Sequence, residues 1–154
     1  GPFAPERSGG LPCFQLAEMA TQDGVTFPEM MRRMQRKGGL MDWFGTSDAR
    51  EIERRIHEGD GKAALVYEAM AHNLAKNIGK LAVVTRGRLD AILLTGGVAR
   101  SRMLTDWVAE RVSFLAPVHV LPGENEMESL ALGVLRVLRG EEEAHTFAER
   151  TEAS

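Results

Sequence analysis

The sequence predicts a mainly helical α/β protein with one short parallel βαβα unit, on three observations. Tyr67, Met70, Ala71, Leu74, Ile78 and Leu81 recur at steps of three and four, which sets them on one face of a long helix. Leu89 to Leu94 is a short aliphatic run that ends in Thr95-Gly96-Gly97, as a buried strand feeding a turn would. Val118 to Leu121 repeats the pattern, and Pro122-Gly123 turns it into a helix with the stripe Met127, Leu130, Ala131, Val134, Leu135 and Leu138. With a helix through Leu104, Trp107, Val108 and Arg111 between them, the two strands are expected to be parallel with a right-handed crossover.

Upstream, residues 1–12 hold three Pro and three Gly and read as a loop. Phe14 to Lys37 reads as helical, with a turn at Asp23-Gly24 and Pro28 suited to a first helical turn, until Gly38-Gly39 stops it. A short apolar piece, Leu40 to Phe44, leads to Gly45-Thr46-Ser47-Asp48. There Asp48, with Glu51 three residues on, is expected to form a capping box for a helix through His57 with Ile52 and Ile56 inward. The acidic tail from Glu141 to Ser154 reads as a frayed helix. Two strands make a poor sheet, so either the long helices compensate or strands upstream of Gly1 are missing.

Composition narrows the class of function. Hydrophobic residues at 44% and charged ones at 27% of 154 residues describe an ordinary soluble globular domain. A net charge of −3 and a pI near 5.8 argue against nucleic acid or an anionic membrane as partner. The basic pairs Arg32-Arg33, Arg36-Lys37 and Arg54-Arg55 are interrupted by Glu29, Glu51 and Glu53, as on a solvated helix face. Cys13 is the single cysteine, so no intrachain disulfide can form, and a cytoplasmic location is expected. No apolar run approaches the length that spans a bilayer. The chain begins Gly1-Pro2-Phe3 without an initiator Met and is expected to be a trimmed one.

Ligands of open α/β sheets sit beyond the carboxyl ends of the strands, where helix N-termini present free N–H groups. Two loops qualify. Thr95-Gly96-Gly97-Val98 puts paired glycines directly after a strand, either as a tight turn or to let backbone approach a flat or phosphorylated ligand without Cβ atoms in the way. Pro122-Gly123-Glu124-Asn125-Glu126-Met127-Glu128 brings three carboxylates into a helix start, where they either complement the dipole or hold Mg²⁺ directly or through water. Arg7, in Pro5-Glu6-Arg7-Ser8-Gly9-Gly10, offers a planar, permanently charged fork for transferring phosphoryl oxygens, or is solvated. His57, His72, His119 and His145 share no spacing and have no Cys partners, and no metal role is expected of them.

Taken together, Gly1-Pro2-Phe3-Ala4-Pro5-Glu6-Arg7-Ser8-Gly9, Leu94-Thr95-Gly96-Gly97-Val98-Ala99 and Pro122-Gly123-Glu124-Asn125-Glu126-Met127-Glu128 resemble the butyrate kinases, in that order. Lys37-Gly38-Gly39-Leu40, Gly45-Thr46-Ser47-Asp48, Gly59-Asp60 and Ala69-Met70-Ala71 add to the likeness, which covers essentially the whole chain. Butyrate kinases belong with acetate kinases to the superfamily of sugar kinases, actin and the heat-shock chaperone ATPases, built of two ribonuclease H-like domains around a nucleotide cleft. The resemblance thus implies an incomplete ribonuclease H-like, actin-like ATPase domain. Residues 1–154 would be the C-terminal nucleotide-binding portion, with the N-terminal domain and this domain's first strands absent.

The activity implied is reversible transfer of the ATP γ-phosphoryl group to a short-chain carboxylic acid, giving an acyl phosphate and ADP with Mg²⁺. By position, Gly96, Gly97 and Val98 resemble the adenosine motif, and Ser101 stands where acetate kinases have an asparagine facing the nucleotide. Asp48 and Arg50 resemble the Asp-aromatic-Arg segment near adenine and ribose, with Ala49 in place of the ring. Arg7 resembles the arginine that stabilises the transferring phosphoryl group, and Glu126 the glutamate that organises Mg²⁺, with Glu124 and Glu128 as competitors. The family's glycine-rich phosphate loop and second phosphate hairpin are not among these residues. The isolated chain is therefore expected to be inactive, to need the N-terminal half of the same enzyme as partner, and to form a homo-oligomer through the uncovered sheet. A non-catalytic nucleotide-binding or oligomerisation module, and an acetate or branched-chain acid kinase of the same family, are the alternatives.

Overall fold

The computed structural model describes residues 1–123 and 126–144. They fall into two compact units, residues 1–123 and the segment from 124 onward.

In the first unit the elements run α1 (Cys13–Ala20), α2 (Phe27–Gln35), α3 (Leu40–Phe44), α4 (Ala49–His57), α5 (Gly61–Ala82), β1 (Ile92–Gly96), a 3₁₀ turn (Gly97–Arg100), α6 (Arg102–Val112) and β2 (Val118–Pro122). Local chemistry sets most of the boundaries. Thr26 caps α2 by accepting from the Glu29 N–H, and Pro28 sits in the first turn where its missing donor costs nothing. Asp60 caps α5 by accepting from the Lys62 and Ala63 N–H groups, each at 3.0 Å. The predicted capping box at Asp48 does not form. The Asp48 carboxylate takes the Arg50 N–H instead, and Glu51 turns along α4 to the guanidinium groups of Arg54 and Arg55. Those cations draw Glu51 away from the Asp48 N–H, which donates to Thr46 Oγ1.

α5 is the spine of the unit. Tyr67 and Ala71 are fully buried and Met70 nearly so, and α6 packs along it through Leu104, Val108 and Val112, with Ile52 of α4 and Leu40 of α3 completing the core. Tyr67 and Trp107 meet edge to face, their ring centroids 6.0 Å apart. The predicted inward stripe of α5 ends early. Leu81 is exposed and Ala82 is buried in its stead, so the helix face rotates past the core before the helix stops.

β1 and β2 pair in parallel, Ile92 opposite Val118 through Gly96 opposite Pro122, as the sequence predicts. β1 begins at Ile92 rather than Leu89, and it is buried on one face only. Ile92 and Leu94 enter the core, while Leu93 and Leu121 remain about 60% exposed on the other face (60% and 58%). A parallel strand normally has both faces covered, and among the described residues this sheet has one.

The second unit holds α7 (Glu126–Leu138). Its stripe of Met127, Leu130, Val134, Leu135 and Leu138 is exposed. The helical tail expected from Glu141 is absent over residues 141–144, and residues 145–154 lie outside the described ones. No helix among the described residues is long and apolar enough to cross a membrane.

Two predictions follow from these contacts. Ile52→Ala removes a fully buried side chain from the joint between α4 and the core and is expected to cost about 2–5 kcal/mol, read by urea denaturation. Glu51, held down to about 2 from the ordinary 4.5 by Arg54 and then Arg55, supports α4 fully above about pH 4.5 and loses that support as the pH falls towards 2. Because this cluster is exposed to solvent, raising the salt should move the Glu51 midpoint back towards 4.5 in a carboxyl NMR titration.

Candidate functional site

Two sequence segments far apart in the chain build one cleft of about 340 Å³. One is the start of α4, with Ser47, Asp48, Ala49, Arg50 and Glu53; the other is the 3₁₀ turn after β1, with Gly97, Val98, Arg100 and Ser101, and Pro5 closes the side. Five of the predicted site residues, Asp48, Arg50, Gly97, Val98 and Ser101, are thus brought together. The cleft opens at the carboxyl end of β1, where an α/β sheet binds its ligands.

Gly96 is not in the cleft wall. It ends β1 with φ +86°, a conformation that favours glycine, and exchanges backbone hydrogen bonds with Gly123: its N–H donates at 3.1 Å and its carbonyl accepts at 3.3 Å. Its task is to turn the chain so that Gly97 and Val98 form the wall.

Asp48 and Arg50 act as a pair. Arg50 Nη2 lies 2.7 Å from Asp48 Oδ2, and the hydrogen bonds from the Arg50 side chain and backbone hold the Asp48 carboxyl below its usual range. Both are exposed, so the pair is open to a ligand and contributes little to stability.

Ser101 is buried, and its hydroxyl is already engaged. It caps α6 by accepting from the Leu104 N–H at 3.0 Å, accepts from the Tyr67 hydroxyl at 2.9 Å, and donates to Glu53 Oε1. Tyr67 O–H also lies 3.2 Å from Glu53 Oε1. Burial pushes the Tyr67 hydroxyl well above its ordinary value, so it stays a donor across the working pH range. Glu53, Tyr67 and Arg100 carry no site signal in the sequence, where Tyr67 reads as part of the α5 stripe and Glu53 as part of a solvated helix face. A capped helix start at Ser101 could have been read from its spacing to Leu104, but nothing local links positions 53, 67 and 101.

Arg7 is exposed on a loop that the protein fixes firmly. Ser8 N–H donates to the Met34 carbonyl, Gly38 N–H to that of Glu6 and Met41 N–H to that of Pro5, at 2.9–3.1 Å, while Ser47 Oγ donates to Glu6 Oε1. The close approach needs Gly38 and Gly39. A Cβ on Gly39 would stand 1.7 Å from the Ala4 carbonyl oxygen, and Gly39 itself has φ +69°. Pro5 of this loop lines the cleft just described, and Ser8 lines a larger one of about 850 Å³ bordered by Arg33, Lys37 and Trp43.

Glu126 is exposed in the first turn of α7, and Glu124 lies outside the described residues. Among the described residues no group of three or more His, Cys, Asp or Glu side chains forms a metal cage. A lone carboxylate fits Mg²⁺ only in its usual manner, shared with phosphate oxygens and water.

With β1 and β2 parallel, α6 between them and a cleft at the carboxyl end of β1, the chain carries part of an actin-like ATPase fold, which it shares with solved structures. The acetate kinase of Porphyromonas gingivalis superposes with a TM-score of 0.74 over 88% of this chain and 41% of its own, at 22% identity. The acetate kinase of Entamoeba histolytica gives 0.72 over 86% and 42%, at 21% identity, and a propionate kinase of Francisella tularensis subsp. tularensis SCHU S4 gives 0.68 over 82% and 38%, at 20% identity. The Acetokinase family matches residues 4–127. A protein named "Probable butyrate kinase 2" from Caldanaerobacter subterraneus subsp. tengcongensis is 48% identical over 142 residues, 92% of this chain. The chain belongs to the acetokinase family. It spans 40% of the length of that relative.

Gly39→Ala is expected to lower stability by roughly 1–3 kcal/mol from backbone strain alone and to lift the Arg7 loop off α3. Hydrogen exchange reads this out: the amides of Ser8, Gly38 and Met41 lose protection while those of α6 keep theirs.

Proposed function

We propose that this chain is the C-terminal nucleotide-binding portion of a short-chain fatty acid kinase, and that the acid is butyrate. In the reaction a carboxylate oxygen attacks the γ-phosphorus of ATP, the bond from that phosphorus to the β–γ bridging oxygen breaks, and the products are butyryl phosphate and ADP. The observation that carries the reading is the cleft at the end of β1, which gathers Asp48, Arg50, Gly97, Val98 and Ser101 from two separate segments. The 48% identity to a protein named as a butyrate kinase favours butyrate over acetate or propionate.

In this reading Gly97 and Val98 flank the nucleoside, and Gly96 sets their turn. The exposed Asp48–Arg50 pair meets the ribose side. Ser101 shapes the floor of the cleft, its hydroxyl being held by Tyr67, Glu53 and the start of α6. Arg7 places its planar cation on the transferring phosphoryl oxygens from a loop already fixed by backbone hydrogen bonds. That suits a loose transition state, which needs positioning and charge neutralisation more than a covalent catalyst. Magnesium, when bound, neutralises charge on the phosphate oxygens, and Glu126 is the residue proposed to hold it through water. The rest of the phosphate site and the acyl wall belong to the remainder of the longer enzyme.

A coupled kinase assay on the full-length parent, run across a series of short-chain acids, tests this. Butyrate should give the highest kcat/KM, and Arg7→Ala should lower kcat on the order of a thousandfold. Near-normal turnover by Arg7→Ala would remove Arg7 from the chemistry, and a preference for acetate would change the substrate. The isolated chain is expected to bind ADP weakly and to show no turnover, because one wall of a cleft leaves the phosphates in water.

A further inference from the structure

The carboxylate of Glu53 has no part in the reading above except as a partner of Ser101, yet it lines the cleft itself. Its two oxygens differ. Oε1 accepts from the Ser101 hydroxyl and lies 3.2 Å from the Tyr67 hydroxyl, whose single proton is shared between it and Ser101 Oγ, so the head group is held from behind by two buried residues. Oε2 makes no hydrogen bond among the described residues. The other carboxylate of the cleft, Asp48, is already paired with Arg50. An immobilised carboxylate with one oxygen unused is an acceptor waiting for an N–H or O–H, and it repels phosphate. This end of the cleft therefore takes the uncharged end of a nucleotide. Gly97, Val98 and Ser101 belong to the same turn and helix start, and that wall offers a flat ring a close approach.

Resting on the nucleotide reading above, we infer that Glu53 is the specificity-determining residue of the cleft, its Oε2 accepting from the exocyclic amine of adenine, with Tyr67 and Ser101 as positioning residues that lock the carboxylate. A 6-oxo purine presents a carbonyl oxygen at the same place, and two acceptors facing each other exclude it. A polar site built for one donor rejects the analogue that lacks it. The inference also explains why a tyrosine hydroxyl is brought into the core. Without Tyr67 and Ser101 the glutamate would be a mobile surface charge able to serve either kind of base.

Glu53→Gln tests this cleanly, because a glutamine can keep its carbonyl towards Ser101 and Tyr67 and present its amide NH₂ where Oε2 stood. Binding of ADP, IDP and 2′-deoxy-ADP to the 154-residue chain is followed by NMR titration, with thermal melts to establish that the variant is folded. The unsubstituted chain should prefer ADP over IDP by at least about tenfold. Glu53→Gln should reverse the preference, and it should leave the ratio of ADP to 2′-deoxy-ADP unchanged. Tyr67→Phe should weaken the preference for ADP without reversing it. A folded Glu53→Gln chain with the original preference overturns the inference and leaves the nucleotide site standing. So does a variant altered only towards 2′-deoxy-ADP, which would assign Glu53 to the ribose. Failure of the unsubstituted chain to bind any of the three overturns the nucleotide reading and this inference with it. Should Glu53→Gln not fold, Glu53→Asp, which withdraws the carboxylate by one methylene, is expected to lose the ADP preference, and retention of it counts against Glu53.

Discussion

Tyr67 is the residue on which the rest of the unit leans. It rises from the middle of α5 with its ring fully buried against Trp107 of α6, and its hydroxyl reaches Ser101 at the start of α6 and Glu53 on α4. One side chain therefore joins three helices, by apolar packing along its body and hydrogen bonds at its tip. Burying a hydroxyl without partners would be costly, and here both hydroxyls of the cluster have one. Glu53 and Ser101 of this cluster line the cleft. Packing of the core and placement of the site are thus one arrangement, and a change in how α4 lies on α5 would move Asp48, Arg50 and Glu53 together.

The Arg7 loop obeys a second constraint, set by backbone alone. It lies on Gly38 and Gly39 so closely that no Cβ fits, and its Ser8 N–H donates to Met34 while its Pro5 and Glu6 carbonyls accept from Met41 and Gly38. An arginine of this kind is pre-organised. It is carried on fixed main chain, so little ordering entropy has to be spent on the loop on binding a ligand.

The half-covered sheet fits the extent of the chain relative to its family. Leu93 and Leu121 show an apolar face to solvent, and the matched acetate kinases are more than twice as long as the region they share with it. A parallel sheet ordinarily keeps its backbone and apolar side chains from water by having both faces covered.

By itself the sequence determined what depends on neighbours in the chain. The helix start at Pro28, the α5 stripe from Tyr67 to Ile78, and the strand-to-glycine pattern at Thr95-Gly96-Gly97 are local, and they are legible because first-turn preference, periodicity and turn geometry act over a few residues. The family likeness marked Asp48, Arg50, Gly97, Val98 and Ser101 one by one. Only the tertiary structure decided that they face one cleft, that Gly96 stands behind the wall and not in it, and that Ser101 spends its hydroxyl on Tyr67, Glu53 and α6. It also decided that Glu51 leaves its expected cap for Arg54 and Arg55, and that Glu53 is held with one oxygen unused. The physical reason is the same in each case: a hydrogen bond between residues dozens of positions apart exists only once α4, α5 and α6 have packed, and no local pattern records it.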